Sequence, residues 1–312
     1  MGDKEDKMFK QADRLLLVAL MLVLIFSGYG EVKANVEVKL LDDLGKEILI
    51  QREPQRIISL APSITEILYE LNLEERVVGV TEFCDYPARA KSKSKVDAKN
   101  LESMIALNPD LVLAGGIVPK STIKSLEDLG ITVVGFNPNS IEETITVIAK
   151  IAKLTGKKDR GRELTGRLTA ELHSIRSKVE RAVNDKDVVK VFYEVWKEPL
   201  YTVGKNTFIN DLIEQAGGYN IGTKATGSWP QYSIEQLLAE NPDVYIATYD
   251  SWKERLTSTK IKARTNYQYI KAIRDDRVYI FDANIINRPG PRIIKALKLF
   301  VQAIHPEIDL EN

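Results

Sequence analysis

The sequence predicts an α/β protein with two Rossmann-like lobes, each built on a mostly parallel sheet, joined by one long helix and separated by a cleft. Three observations support this fold class. A helix-and-strand pattern at residues 100–115 returns at residues 233–248. Strand and helix patterns alternate along most of the chain, which is typical of parallel sheets flanked by helices. A 25-residue amphipathic pattern at 159–183 separates the two copies.

The N-terminal segment, residues 1–34, predicts a secretory signal peptide or an N-terminal anchor. Lys7, Lys10 and Arg14 precede an apolar run at 15–26, and small or apolar residues precede a possible cleavage site before Asn35. If uncleaved, the uncharged run at 15–30 is only slightly short of the roughly 17–25 residues that span a bilayer. Either way we expect an exported protein, periplasmic or at the cell surface. No cysteine follows the apolar run to carry a lipid.

The first lobe is predicted at residues 35–140. It opens with alternating residues on both sides of an Asp-Leu-Gly turn, which indicates a hairpin at 36–50. The stretch 56–72 then predicts a strand, a turn at Ala61-Pro62 and a helix capped by Ser63 or Thr65. Further strands are predicted at 77–80 and 132–136.

The repeated segments predict the same helix-turn-strand unit twice. Asn100 and Ser233 are favourable N-caps, and Gln236, three residues after Ser233, completes a capping box. Asn-Pro-Asp ends each helix, and LVLA or VYIA follows as a buried strand. A glutamate, Glu102 or Glu235, lies in the first turn of each helix, where the helix dipole favours a carboxylate. Two copies in corresponding positions indicate two similar lobes.

Connecting helices are predicted at residues 141–186, the longest at about 159–183. Its apolar residues form one narrow stripe, so a helix of about 37 Å should lie along a surface. The stripe consists of Leu164, Leu168, Leu172, Ile175, Val179 and Val183. Gly161 and Gly166 each cost roughly 1 kcal/mol relative to alanine, which predicts a frayed start. His173 lies off the stripe and is predicted to be solvated.

The second lobe is predicted at residues 187–312. A strand at 188–195 opens it, and the second repeated unit follows. Near the end of the chain, a strand is predicted at 277–282 and a last helix at 291–304.

Composition excludes some classes of partner. Lysine plus arginine equals aspartate plus glutamate, 44 against 44, so the chain has no excess positive charge with which to hold nucleic acid. The single cysteine, Cys84, excludes an internal disulfide. We expect Cys84 to be a small buried residue rather than a nucleophile, because only His173 and His305 could activate it.

Aromatic residues follow predicted strands in both lobes, where open α/β sheets bind ligands. Phe83, Trp196 and Tyr201 follow predicted strands, and Trp229 immediately precedes the second capped helix. The alternative is that the rings fill the core or turns. Arg288 and Arg292, before the last helix, offer planar donors for carboxylates, phosphates or amide-rich rings, or else form surface salt bridges.

A two-lobed enzyme of group transfer is a more distant alternative, because the fold alone does not exclude catalysis. The sequence contains no glycine-rich phosphate loop opening a helix and no paired carboxylates in one plausible loop. The segment 203–207, VGKNT, lacks the first glycine of a phosphate loop. We therefore expect no catalytic residues and no catalytic cofactor.

Five segments together resemble the cobalamin-binding members of the helical-backbone periplasmic binding proteins, which supply ABC importers. The segments are SLAPSITEILY, VGVTEFCDYP, the paired helix-and-strand units, SWPQYS and NRPGPRI. The resemblance covers about residues 54–304. It implies that two α/β lobes bound by a rigid helix clamp a bulky planar ligand in their cleft, and that the protein is a monomer.

By position, the resemblance implies a set of ligand-facing residues. They are Ser63, Phe83, Tyr201, Trp229, Asn284 and Arg288, beside which Trp196 also follows a predicted strand. It further implies that Glu102 and Glu235, one on each lobe, dock on arginines of a two-fold permease that works with ATPase subunits. The repeated unit would then present one acidic group to each half of the permease.

The identity of the ligand stays open, because the chain departs from the closest cobalamin binders. Those carry tryptophans about where this chain has residues 96–99 and Gly115. Cobalamin or a related corrinoid is the first expectation, and haem or a ferric siderophore is the alternative. A related branch binds zinc or manganese through about three histidines and carboxylates, and the two histidines of this chain argue against a metal site.

Overall fold

A computed structural model describes residues 37–116, 118–183, 188–249 and 256–310. The predicted leader at 1–34 lies outside these residues. The described part confirms the predicted fold class: two α/β lobes, each with a mostly parallel five-stranded sheet, joined by one long helix. None of the helices in the described ranges combines the length and apolarity needed to cross a membrane.

The described part begins with the predicted hairpin, β1 (Val38–Leu41) antiparallel to β2 (Glu47–Ile50). Its turn covers the edge of the first sheet. The backbone N–H of Asp43 donates to Gly135 O at 3.0 Å, and the Asp42 carboxylate accepts from Gly135 N at 3.0 Å. The turn therefore satisfies backbone groups that an edge strand would otherwise leave open for another chain.

The sheet of the N-terminal lobe has the strand order β5-β4-β3-β6-β7, and all four pairings are parallel. Its strands are β3 (Ile57–Ser59), β4 (Val77–Val80), β5 (Ser94–Lys95), β6 (Leu111–Gly115) and β7 (Thr132–Phe136). Its helices are α1 (Pro62–Glu70), α2 (Leu101–Ile105) and α3 (Lys120–Asp128). The predicted cap of α1 by Ser63 or Thr65 is wrong. The helix begins one residue after Ala61, because Pro62 occupies the first turn, where its fixed φ is favourable.

Two helices connect the lobes, α4 (Ile141–Leu154) and α5 (Lys158–Ala182). Ser140 caps α4 by accepting from Glu143 N at 3.0 Å. Helix α5 begins and ends within one residue of its predicted bounds, and five of the six predicted stripe residues are buried, from Leu164 to Val179. His173 is exposed, as predicted.

The start of α5 is not frayed, and Gly161 shows why. Residue 161 is buried, and a Cβ placed there would lie under 3.0 Å from the Cβ of Ala152 on α4. The glycine therefore allows two helices to approach closely. Gly166 is exposed, with nothing within 4 Å of such a Cβ.

The sheet of the C-terminal lobe has the order β10-β8-β11-β12, all parallel, with β9 antiparallel to β8. Its strands are β8 (Val189–Lys197), β9 (Leu200–Thr202), β10 (Gly218–Asn220), β11 (Val244–Tyr249) and β12 (Val278–Asp282). Its helices are α6 (Phe208–Gln215), α7 (Ile234–Glu240), α8 (Ser258–Lys262), α9 (Lys271–Arg274), α10 (Ala283–Ile286) and α11 (Ile293–Ile304). The predicted capping box of α7 is present, with both Ser233 and Gln236 bonded as expected.

One hydrophobic cluster runs through both lobes. It joins Leu68 of the N-terminal lobe, the buried stripe of α5, and Phe300 of α11. Two smaller clusters each lie within a single lobe, one around Tyr245 and the other around Met104. The lobes therefore share a core.

Candidate functional site

A cleft of about 740 Å³ lies between the lobes and is lined by residues from both. Many of these residues lie at or just beyond the carboxyl ends of parallel strands, where open α/β sheets bind ligands. In the N-terminal lobe they follow β3, β6 and β7, and in the C-terminal lobe they lie on β8 and β11 or follow β12. The volume is within the range of small-molecule sites.

The lining is rich in amides and aromatic rings. It includes Asn137, Asn139, Asn206, Asn284 and Asn287, with the rings of Phe83, Phe136, Tyr193, Phe208 and Trp229. Among the described lining residues, Arg288 carries the only charged side chain. The cleft can therefore offer hydrogen bonds and ring faces to a bulky ligand, but little net charge.

The structure brings five of the seven predicted ligand-binding residues to this cleft. Ser63 and Phe83 line it from the N-terminal lobe, and Trp229, Asn284 and Arg288 line it from the C-terminal lobe. Phe83 is 62% exposed and Trp229 is 56% exposed. Two large rings thus keep accessible surface on opposite walls of the cleft.

Trp196 and Tyr201 lie outside the lining of the cleft. The reason is that β8 ends later than the sequence predicted. Strand β8 does not stop at residue 195 but continues to Lys197, and Trp196 pairs with Tyr201 of β9 in an antiparallel hairpin. The Trp196 indole N–H donates to Glu198 O at 3.0 Å. A role for either residue in binding stays a prediction.

Tyr201 instead supports the loop that carries Trp229. It forms a bridge with Gln231, and Thr202 N donates to Pro230 O at 3.1 Å. Gly204 N donates to Ser228 O at 2.9 Å, and a Cβ at Gly204 would collide with Gly227 O. The glycine of the VGKNT segment, Gly204, therefore allows the backbone at residues 227–228 to approach closely. Thr207 of the same segment caps α6.

Arg288 and Arg292 form ion pairs between the lobes, with little exposed surface. Arg288 Nη1 lies 2.7 Å from Asp85 Oδ1 and 3.4 Å from Glu66 Oε1. Arg292 donates to both oxygens of Glu66, from Nε at 2.8 Å and from Nη2 at 2.6 Å. The Glu66 side chain is only 2% exposed. Burial raises the pKa of Glu66, and hydrogen bonds and attraction from the two arginines partly offset this effect.

Asn137 is held in place both by its backbone and by its side chain. Its backbone N–H donates to Asp43 Oδ2 at 2.9 Å, and the other Asp43 oxygen accepts from Lys150 Nζ at 2.7 Å. Its side chain lies against Gly116, where a Cβ would collide with it. The N-terminal hairpin thus positions one wall of the cleft.

A second contact between the lobes lies at the start of α4. Asp211 of α6 accepts from Ile141 N at 2.8 Å. Burial raises the pKa of Asp211, and the hydrogen bond from Ile141 partly offsets this effect. A C-terminal-lobe carboxylate thus caps a helix that packs on the N-terminal lobe.

The two predicted docking glutamates lie on equivalent helices, outside the cleft. Glu102 is exposed on α2, which Asn100 caps by accepting from Ser103 N at 3.1 Å. Glu235 is exposed on α7, and its own backbone N–H and the Ser233 hydroxyl lower its pKa. The structure places one acidic group on each lobe, and docking stays a prediction.

Cys84 is fully buried, as predicted, and accepts from Thr65 Oγ1 at 3.1 Å. Within the described ranges, no group of three or more histidine, cysteine, aspartate or glutamate side chains is arranged to hold a metal.

Comparison with known proteins agrees with this architecture. Residues 57–285 match the family model described as periplasmic binding protein. An ABC transporter substrate-binding lipoprotein of Bacillus subtilis, named as uncharacterised, is 33% identical over 94% of this chain and 96% of its own length. A cobalamin-binding protein of Halobacterium salinarum is 32% identical over 83% of this chain and 71% of its own length.

Similar solved structures cover about four fifths of this chain. A possible iron-binding (periplasmic solute-binding) protein of Staphylococcus epidermidis has 34% identity and a TM-score of 0.69, covering 81% of this chain and all of its own. A periplasmic haem-binding protein of Roseiflexus has 25% identity and a TM-score of 0.72, covering 82% of this chain and 99% of its own. With a family match across both lobes and a relative aligned along nearly its whole length, the chain belongs to the periplasmic binding protein family.

Proposed function

We propose that this protein is the extracytoplasmic substrate-binding component of an ABC importer and that its ligand is cobalamin or a related corrinoid. The chemistry of the cleft supports this ligand class. A corrinoid is a bulky, amide-rich macrocycle, and the cleft combines five asparagines with aromatic rings on both walls. Amides satisfy amides by paired donors and acceptors, while ring faces cover apolar surface.

The single observation that carries the proposal is the amide-rich lining, in which Arg288, the only charged side chain among the described lining residues, is paired with carboxylates. Haem iron is held in proteins by histidine, cysteine, methionine or tyrosine. Of these types, the described lining contains only Tyr193, which is buried and donates its hydroxyl to Asn287 Oδ1 at 2.9 Å. An anionic ferric siderophore calls for positive charge, and Arg288 already pairs with carboxylates.

Haem is the second candidate. The similarity to a haem-binding protein of Roseiflexus favours it. In that case Tyr193 would have to leave Asn287 and turn towards the iron.

Titration calorimetry with cyanocobalamin, cobinamide, haemin and a ferric hydroxamate tests the ligand. We expect the purified protein to bind cyanocobalamin at about one per chain. Binding of haemin or the hydroxamate without any response to either corrinoid would overturn the proposed ligand. The same titrations should leave the ligand chemically unchanged, as expected of a carrier and not of an enzyme.

Delivery would require a permease dimer with ATPase subunits. Glu102 and Glu235 are the proposed docking groups, since each is exposed at the start of an equivalent helix, one on each lobe. Complementary charges of this kind orient two proteins and speed their encounter.

A further inference from the structure

We propose that Asp85, together with Glu66, determines specificity by neutralising Arg288, so that the cleft favours a ligand without a carboxylate facing this wall. The inference rests on the proposed function and adds the charge of the ligand to it. It assigns a role to two acidic residues of the N-terminal lobe that do not line the cleft themselves.

The guanidinium of Arg288 is occupied by the protein. Its Nη1 pairs with Asp85 at 2.7 Å and with Glu66 at 3.4 Å. Its Nη2 donates to Phe83 O at 3.2 Å and to the side-chain oxygen of Asn284. Four acceptors therefore surround an arginine that lines the cleft, and a ligand anion would have to compete with them.

Within this group of four ion-paired residues the charges cancel. Arg288 and Arg292 supply two positive charges, and Glu66 and Asp85 supply two negative charges. Arg292 binds both oxygens of Glu66 and lies over the Tyr86 ring, 4.0 Å from its centroid. Arg292 makes shorter contacts with Glu66 than Arg288 does, so Asp85 is the principal counter-charge of Arg288.

Neutralisation matters here because the guanidinium of Arg288 is poorly hydrated. The side chains of Arg288 and Glu66 are 10% and 2% exposed, so their charges are weakly screened, whereas the Asp85 side chain is 36% exposed and keeps part of its hydration. A buried charge without a partner is destabilising, so a new counter-ion that pairs with it is bound more favourably. Removing the charge of Asp85 should therefore leave Arg288 able to attract an anionic ligand.

The variant Asp85→Asn tests this role, because asparagine keeps a hydrogen-bond acceptor and removes only the charge. We would measure the affinity of wild type and variant for haemin, which carries two propionates, and for cyanocobalamin. A third set of probes is the monocarboxylic acids of cyanocobalamin, in which one amide is hydrolysed to a carboxylate. We expect haemin affinity to rise about tenfold or more and cyanocobalamin affinity to change less than threefold. At least one of the acids should gain affinity relative to its parent.

Two control variants separate this role from a general change in charge. Asp128→Asn alters net charge equally at an exposed carboxylate outside the cleft lining and should leave haemin affinity unchanged. The double variant Asp85→Asn/Arg288→Gln should lose the gain. Asp85→Ser provides a second neutral side chain, and unfolding curves identify any variant that is not folded.

The outcomes are distinct. An equal haemin affinity in wild type and Asp85→Asn, including no detectable binding by either, would overturn the inference. Persistence of the gain in the double variant would overturn it as well. Failure of the wild type to bind cyanocobalamin would instead overturn the proposed function, and the haemin comparison does not depend on that result.

Discussion

Gly161 gives the clearest test of how the long helix is held. In Gly161→Ala, the new methyl group would lie under 3.0 Å from the Cβ of Ala152, whereas ordinary contacts begin near 3.4 Å. Helices α4 and α5 would have to move apart. Overpacking of this kind typically costs about 1–3 kcal/mol.

Gly166→Ala is the matched control, because it lies on the same helix and its new methyl group meets nothing within 4 Å. Both substitutions gain helix propensity of up to about 1 kcal/mol. The gain cancels in the comparison, so the difference reports packing alone. We expect Gly166→Ala to be more stable than Gly161→Ala by about 1–3 kcal/mol.

Urea unfolding followed by tryptophan fluorescence measures both free energies. The variant Ala152→Gly completes a double-mutant cycle, because it removes the methyl group that the new side chain of Gly161→Ala would strike. Combined with Gly161→Ala, it should recover most of the lost packing energy. If the two Gly→Ala variants agree within about 0.5 kcal/mol, the close approach of α4 and α5 does not explain Gly161.

Three other perturbations address the cleft, the docking surface and alkaline stability. Trp229→Ala should weaken cyanocobalamin binding about thirtyfold in calorimetry, since truncating an aromatic anchor often costs about 2 kcal/mol. Reversing both Glu102 and Glu235 to arginine should abolish binding of the loaded protein to its reconstituted permease at low salt, with ligand affinity unchanged. Burial raises the pKa of Tyr232 to about 12. The folded state therefore keeps this proton where the unfolded state loses it. Stability falls between about pH 10 and 12 by up to about 3 kcal/mol, a loss that Tyr232→Phe should remove from chemical unfolding curves.

Each of these has its own contradicting result. Unfolding of Trp229→Ala with normal affinity in the surviving fraction would place the ring in the core. Normal permease association after the double reversal would leave Glu102 and Glu235 as residues that only favour their helices. An unchanged fall in stability above pH 10 in Tyr232→Phe would mean that other groups, such as the buried Tyr245, dominate alkaline unfolding.

The sequence predicted those features that depend on neighbours along the chain. The bounds of β4 and β7, the capping box at Ser233 and the stripe of α5 all follow from short-range periodicity and capping. The predicted end of β8, at residue 195, was wrong. Antiparallel pairing with β9 extends the strand beyond the point where its buried pattern stops.

The rest of the site depends on contacts between distant residues. Glu66 and Arg292 are 226 positions apart, and nothing in either local segment indicates that they pair. Apart from Asn284, the cleft asparagines were missed. Asn137 and Asn139 directly follow β7, so the rule that ligands bind beyond strand ends could have found them. Asn206 precedes α6, and its place in the wall depends on how the second lobe folds.

The hydrophobic cluster that extends through both lobes determines how the chain can be divided. A fragment ending before α5 would expose Leu68 and its neighbours, and a fragment beginning after α5 would expose Phe300. Exposed apolar patches of this kind promote aggregation. Although each lobe has a complete sheet, neither should be recoverable as an independent soluble fragment, and co-expressed halves should survive only if they assemble around the helix.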